Sequence, residues 1–179
     1  MLKINHHWPR AFVLLALLLG VNAHASSLCA AGNENTAITA STPNTDFSDN
    51  GDGTVTHHTT GLIWQRCSLG QSWDGSDCID SANRFTWADA LAAAVQNTFA
   101  GLSDWRLPNK NELASIVEYR CFGPAINNQQ FPNTSDWYWS SSPETGSSGS
   151  AWRVYFGSGD VIVSNENHDS RVRLVRAGQ

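Results

Sequence analysis

The chain has 179 residues, of which 41% are hydrophobic and 15% charged, and its formal net charge at pH 7 is −5. That apolar share excludes a disordered tract and is enough for one packed domain. The acidic balance argues against nucleic acid and against other polyanions held through bulk charge, while leaving room for a local basic site.

The first 25 residues read as a signal peptide. Lys3 and Arg10 supply a positive start, residues 11–21 form an unbroken apolar run, and Ala23-His24-Ala25 gives the small-x-small pattern of a cleavage site. The run is shorter than the about 20 residues that span a bilayer, so no membrane insertion is expected after cleavage. Cys29 follows Ser26-Ser27-Leu28, a poor lipidation motif because Leu28 is too large. Cleavage after Ala25 leaves 179 less 25, or 154, residues and moves the charge from −5 to −7, since the leader holds two basic and no acidic residues. An exported protein in the periplasm, at the cell surface or in the medium is the expectation.

Residues 26–46 are small and polar, and read as an extended lead-in to a domain at 47–179. Asp49-Asn50-Gly51-Asp52-Gly53 is a cluster of turn formers ahead of Thr54-Val55-Thr56, and Thr60-Gly61 precedes the strand-like Leu62-Ile63-Trp64-Gln65. A calcium loop set on Gly53 would place Thr59 where a bidentate glutamate belongs, so the cluster reads as a hairpin turn. All four cysteines, Cys29, Cys67, Cys78 and Cys121, follow the leader, and an even count in an exported chain implies two disulfides. Three pairings are possible. Cys67–Cys78 is favoured because it closes a Gly/Ser/Asp-rich loop, which leaves Cys29–Cys121.

Two helices are signalled. Thr86 can cap one starting at Trp87, with Trp87, Leu91, Ala94 and Val95 on one face. Asn109 can cap the next, with Glu112 in the reciprocal position and Leu113, Ile116 and Val117 facing inward. The last third reads as strands: Trp137 to Ser141, then Trp152, Val154 and Phe156 alternating with Arg153 and Tyr155, then Val161-Ile162-Val163. A final strand over Arg171 to Val175 would put Val172 and Leu174 on one face and Arg171 and Arg173 opposite. The order predicts an α+β fold with an antiparallel sheet.

The ordered motifs also resemble a known family. Asp49-Asn50-Gly51-Asp52-Gly53-Thr54-Val55, Gly61-Leu62-Ile63-Trp64-Gln65 and Trp87-Ala88-Asp89-Ala90-Leu91 come first. Ser103-Asp104-Trp105-Arg106-Leu107-Pro108-Asn109, Asn111-Glu112-Leu113, Tyr138-Trp139-Ser140-Ser141-Ser142 and Val172-Arg173-Leu174-Val175-Arg176 follow. The set resembles the family named for the C-terminal domain of the Legionella collagen-like adhesin. The resemblance implies a C-type-lectin-like fold, distantly related to the formylglycine-generating sulfatase-modifying enzymes, and a role in recognition outside the cytoplasm. The chain departs from those relatives by lacking a collagen stalk, the calcium-dependent sugar-binding triplets and a reactive cysteine near Arg171 to Arg176.

Among candidate site residues, Trp64, Trp87, Trp105, Trp139 and Trp152 read as core aromatics. Trp73 and Trp137 are expected nearer the surface, where an aromatic can mark a contact. Arg106 reads as structural, pairing with a carboxylate or carbonyl to fix the helix entry, and Glu112 as a helix-capping residue. The histidines show no metal-ligand spacing and no nucleophile elbow accompanies the serines, so no metal, cofactor or catalytic residue is assigned. The polar late loops use the adaptable chemistry of paratopes, and Trp137, Glu144, Arg153, Tyr155, Asn165, Asn167 and His168 are the candidate ligand-binding residues. A glycan or surface protein is the expected partner. An enzyme related to the sulfatase-modifying oxidases, or a structural envelope module, is the alternative.

Overall fold

Asp49 to Gly53 turn the chain because their side chains and glycines satisfy the backbone locally. Gly51 N donates to Asp49 Oδ1 at 2.9 Å, Thr54 N to Asp52 Oδ1 at 3.0 Å, and both glycines sit at positive φ, +79° and +85°. The turn joins β1 (Phe47–Asp49) to β2 (Thr54–His57), so the hairpin expected here is present. A computed structural model of the protein describes residues 27–178. The signal-peptide assignment lies outside the described residues. β2 pairs with β3 (Leu62–Gln65) and β3 with the last strand, β9 (Val175–Ala177), in one antiparallel sheet ordered β1-β2-β3-β9. A small hairpin, β4 (Ser72–Trp73) and β5 (Cys78–Ile79), follows, and a second antiparallel sheet holds β6 (Trp137–Pro143), β7 (Ser150–Tyr155) and β8 (Asp160–Asn165).

Two short helices connect these parts. In α1 (Trp87–Val95) the Thr86 hydroxyl caps by accepting from Asp89 N. Ala90 and Ala94 are its buried residues, because small side chains let the helix approach the second sheet closely. That centres the inner face on the two alanines. Val95 is then turned by roughly 100° from Ala94 and is 80% exposed, so its expected place on the inner face is corrected. In α2 (Lys110–Ala114) the full capping box forms between Asn109 and Glu112. Leu113, Ile116 and Val117 are all buried, though the last two lie beyond the helix end at Ser115.

The fold is α+β with antiparallel sheets and two disulfides, Cys29–Cys121 and Cys67–Cys78. Two apolar clusters make the core. One gathers Trp64, Leu113, Phe131, Tyr138, Val154 and Phe156 between the sheets. The other gathers Trp105, Trp139, Ala151, Val172 and Leu174 under α1. Trp64, Trp105 and Trp139 are buried as expected, whereas Trp87 and Trp152 are half-buried.

The expected strand over Arg171 to Val175 is corrected in two respects. Ladder pairing begins only at Val175, and Arg173 is fully buried rather than turned to solvent. Its guanidinium donates to the carbonyls of Gln65 and Arg66 and to the Thr134 hydroxyl, and stands 4.8 Å over the Phe131 ring. The segment is covered on both sides, which removes the inside–outside alternation the sequence pattern assumed.

Candidate functional site

The second sheet carries the candidate residues. Residues 137 and 139 of β6, 153 and 155 of β7, and 160 and 162 of β8 share one face, by the registers Trp137↔Tyr155, Trp139↔Arg153, Arg153↔Ile162 and Tyr155↔Asp160. Helix α1 and its cluster cover Trp139 and Ala151 on that face, and Trp137, Arg153, Tyr155 and Ile162 stay partly or wholly open.

The structure brings three predicted residues together. Trp137 and Tyr155 stack with ring centroids 4.6 Å apart and planes 28° apart. The Arg153 guanidinium lies 4.1 Å from the Trp137 ring centroid and 5.9 Å from that of Trp139. Trp137 is therefore half-buried, more enclosed than the sequence implied, because a cation and a phenol ring both occupy it. Trp73 shows the same arrangement, with Arg66 4.5 Å from its ring. Burial works against the Arg153 charge, and nearby Asp136 partly restores it. Arg153 Nη1 reaches Ser170 Oγ at 3.4 Å, and its Nε has no hydrogen-bond partner among the described residues.

Further neighbours that sequence reasoning missed complete the group. Asp136 pairs with Arg84 and stands 3.9 Å from Arg171 Nε, while Arg171 Nη1 donates to Ser135 Oγ at 2.9 Å. Asp136 is a non-glycine residue at φ +79°, held by accepting from Trp137 N at its side chain and from Phe156 N at its carbonyl. Arg84 and Arg171 thus meet at one carboxylate, whose charge also acts on the nearby Arg153, and exposed Asp160 is bound to Ser158. Gly157 makes room for the stack, since a Cβ there would stand 2.4 Å from the Tyr155 ring. A non-glycine residue at Asp136 could not have been read as strained from sequence. The arginines come from three separate segments, so no local motif announces them.

The other predicted residues lie at the opposite end of β7. Ser150 and Tyr155 are separated by about 16 Å along a strand, and Glu144 and Asn165 belong to the Ser150 end, through Glu144 N to Ser150 O and the pair Ser150↔Asn165. Glu144 Oε1 accepts from Gly146 N at 3.0 Å and Asn165 Oδ1 from Asn167 N at 2.9 Å, so both side chains shape their own turns. His168 Nδ1 is 2.9 Å from Ser164 Oγ, and Glu166 between them accepts from Trp87 N at the start of α1. The seven residues therefore form two groups. The arginine–aromatic group can offer flat apolar surface beside guanidinium donors, a chemistry suited to rings and to carboxylate or carbonyl oxygens.

The Arg106–Glu112 pair is bidentate, at 2.7 Å for each contact, and Glu112 Oε2 also accepts from Asn109 N. Both side chains thereby anchor the start of α2, as the sequence reading has it. Among the described residues no helix is long and apolar enough to cross a membrane. The two disulfides fit an oxidising, extracytoplasmic compartment.

No curated protein matches the chain. The sequence model of the Lcl C-terminal domain matches residues 53–176, from the turn glycine before β2 to the middle of β9, a stretch that contains both helices and the whole second sheet. With well over half of its length matched, the chain belongs to the Lcl C-terminal domain family.

Proposed function

We propose that the protein is an exported recognition module that binds a glycan or protein ligand through the open face of β6, β7 and β8, without covalent chemistry. The carrying observation is the meeting of Arg84 and Arg171 at Asp136 beside the stacked Trp137–Tyr155 pair, with Arg153 over the Trp137 ring. Guanidinium groups in excess over carboxylates at one spot of an acidic chain favour a ligand oxygen, and the aromatic pair favours a ring or apolar edge next to it. Glu144, Asn165, Asn167 and His168 would serve a larger ligand that extends along β7. Both disulfides are closed, which supports recognition over thiol chemistry of the sulfatase-modifying kind. A C-type-lectin-like ancestry is in keeping with this use of late strands.

A glycan array probed with and without calcium, using the parent protein and the Arg153→Ala and Tyr155→Ala variants, tests the reading. Saturable binding that falls at least tenfold in both variants is the expected result. Binding that both variants retain would remove this face from consideration, and no binding at all would turn the search to protein partners.

A further inference from the structure

A second site shares no lining residue with the arginine–aromatic group. The end of β3, the turn after it and the chain leaving α1 enclose a cleft of about 170 Å³ lined by Gln65, Cys67, Ser68, Leu69, Gly70, Gln71, Asn97 and Phe99. A drug-sized ligand needs roughly 300 Å³ or more, whereas a cavity near 150 Å³ accepts a single six-membered ring. The cleft's size therefore selects one ring. Its lining carries no ionisable side chain, which excludes a charged occupant on desolvation grounds.

The polar groups are arranged as a reader of hydroxyls. Gln65 is 4% exposed and donates from Nε2 to Asn97 Oδ1 at 2.8 Å. That bond fixes both amide planes. It leaves Gln65 Oε1 as an acceptor and Asn97 Nδ2 as a donor with no hydrogen bond among the described residues. Gln65 and Asn97 both line the cleft, so the two amide groups left without a hydrogen bond belong to residues of its wall. An acceptor and a donor carried by two hydrogen-bonded amides match two neighbouring hydroxyls of a neutral sugar, each of which both donates and accepts. Phe99 and Leu69 supply the apolar wall a sugar's C–H face requires.

The walls are set before any ligand arrives. Gly70 is at φ +96° with its missing Cβ only 2.7 Å from Asn83 N, so the turn is pressed onto the chain at Asn83. Ser68 N donates to Gln71 Oε1 at 3.1 Å, and Cys67 is bridged to Cys78. Phe99 is held by its carbonyl accepting from Trp105 Nε1 at 3.0 Å and by Gly53, where a Cβ would meet the Phe99 ring at 3.0 Å. Preorganisation of this kind lowers the entropy lost on binding.

We infer that this cleft is a binding site for one neutral sugar ring, recognised by the Gln65–Asn97 amide pair against Phe99. It is separate from the arginine face and stands whether or not that face binds anything.

The test is a ¹⁵N NMR titration of the disulfide-intact protein with the methyl glycosides of glucose, galactose, mannose and N-acetylglucosamine, and with glucuronate as the charged comparison. The expected result is a saturable shift of the Gln65, Gln71 and Asn97 side-chain amides with at least one neutral glycoside, in the millimolar range, while the Trp137 indole signal stays put. In Asn97→Leu, whose thermal unfolding is measured alongside, the apparent affinity should fall at least tenfold. Cleft amides unmoved by all four neutral glycosides, or shifts with glucuronate alone, would overturn the inference, as would unchanged affinity in a folded Asn97→Leu. The parent titration decides the matter even if the variant fails to fold. Shifts at Trp137 alone would favour the arginine face and refute the cleft.

Discussion

Glu118 is the fold's most demanding buried acid, and replacing it with glutamine should be costly. The side chain is completely buried and accepts five hydrogen bonds. Ser41 N, Ser41 Oγ and Arg120 N donate to Oε1 at 2.9, 3.2 and 2.8 Å, and Thr42 N and Thr42 Oγ1 to Oε2 at 2.6 and 3.0 Å. A glutamine keeps one oxygen. Placing it at the Oε1 position preserves two backbone donors and turns the new NH₂ toward Thr42. The Thr42 hydroxyl can rotate to accept, but the Thr42 N–H cannot. One buried N–H is then left unpaired, at about 1–3 kcal/mol, and the remaining bonds lose their charge assistance, for a total of about 3 kcal/mol. For a domain of this size that corresponds to a fall in Tm of about 6–12 °C. Burial by itself would raise the Glu118 pKa, but the N–H groups of Ser41, Arg120 and Thr42 and the Thr42 hydroxyl outweigh it and hold it below the usual 4.5. A depressed folded pKa means the stabilisation is present above the unfolded value and is lost as pH falls below about 4.5, the usual glutamate value. Thermal unfolding followed by circular dichroism from pH 7 to pH 3 is the assay. A Tm loss under 2 °C at pH 7, or an acid limb in E118Q as steep as the parent's, would refute the argument.

Opening the two disulfides should have unequal effects. By loop-closure entropy the Cys29–Cys121 bridge, with a separation of 92, contributes about 4.6 kcal/mol, and Cys67–Cys78, with a separation of 11, about 2.8 kcal/mol; paired Cys→Ser variants compared by urea unfolding should keep that order. Gly70→Ala should cost about 2 kcal/mol or more, because the new Cβ meets backbone at 2.7 Å and φ is +96°, and a urea midpoint equal to the parent's would contradict it. Arg173→Met removes the donor to Gln65 O, Arg66 O and Thr134 Oγ1, and should cost about 3 kcal/mol or more in the same assay.

What the sequence disclosed was what local rules govern. The Asp49–Gly53 turn, the Thr86 and Asn109 caps and the apolar alternation of β7 each depend on residues within a few positions of one another, and each is present. What stayed hidden depends on distant chain segments. Glu118 reads as an ordinary surface acid until Ser41 and Thr42, 77 and 76 residues away, are folded against it. Arg84, Asp136 and Arg171 carry no joint signal because only long-range pairings, Phe85 with Ser170 and Tyr138 with Arg171, bring them together. The same holds for Gln65 and Asn97, which are 32 residues apart. Val95 failed for a subtler reason. The helical period was right, but the two alanines drew the centre of the buried face away from it.

The stretch from Arg171 to Val175 explains how one side of the arginine–aromatic group is held. Its backbone first runs beside β6, with Trp139 N donating to Arg171 O and Arg171 N to Trp137 O, and then crosses to the first sheet, where Leu69 N and Gln65 N donate to Val172 O and Leu174 O. Val172 and Leu174 belong to the cluster under α1, while Arg173 stands against Phe131 and Tyr138 of the other cluster. The segment is thus the seam between two cores, and an arginine survives at its centre because the interrupted ladder leaves carbonyls for it to bind. Arg171 leaves that seam at its outer end and joins Asp136 on the open face. Arg171 is therefore fixed to the packed seam and Arg153 to β7, whereas Arg84 reaches Asp136 from the chain before α1. Two of the three guanidinium groups are thus set by the core and one by a connecting segment.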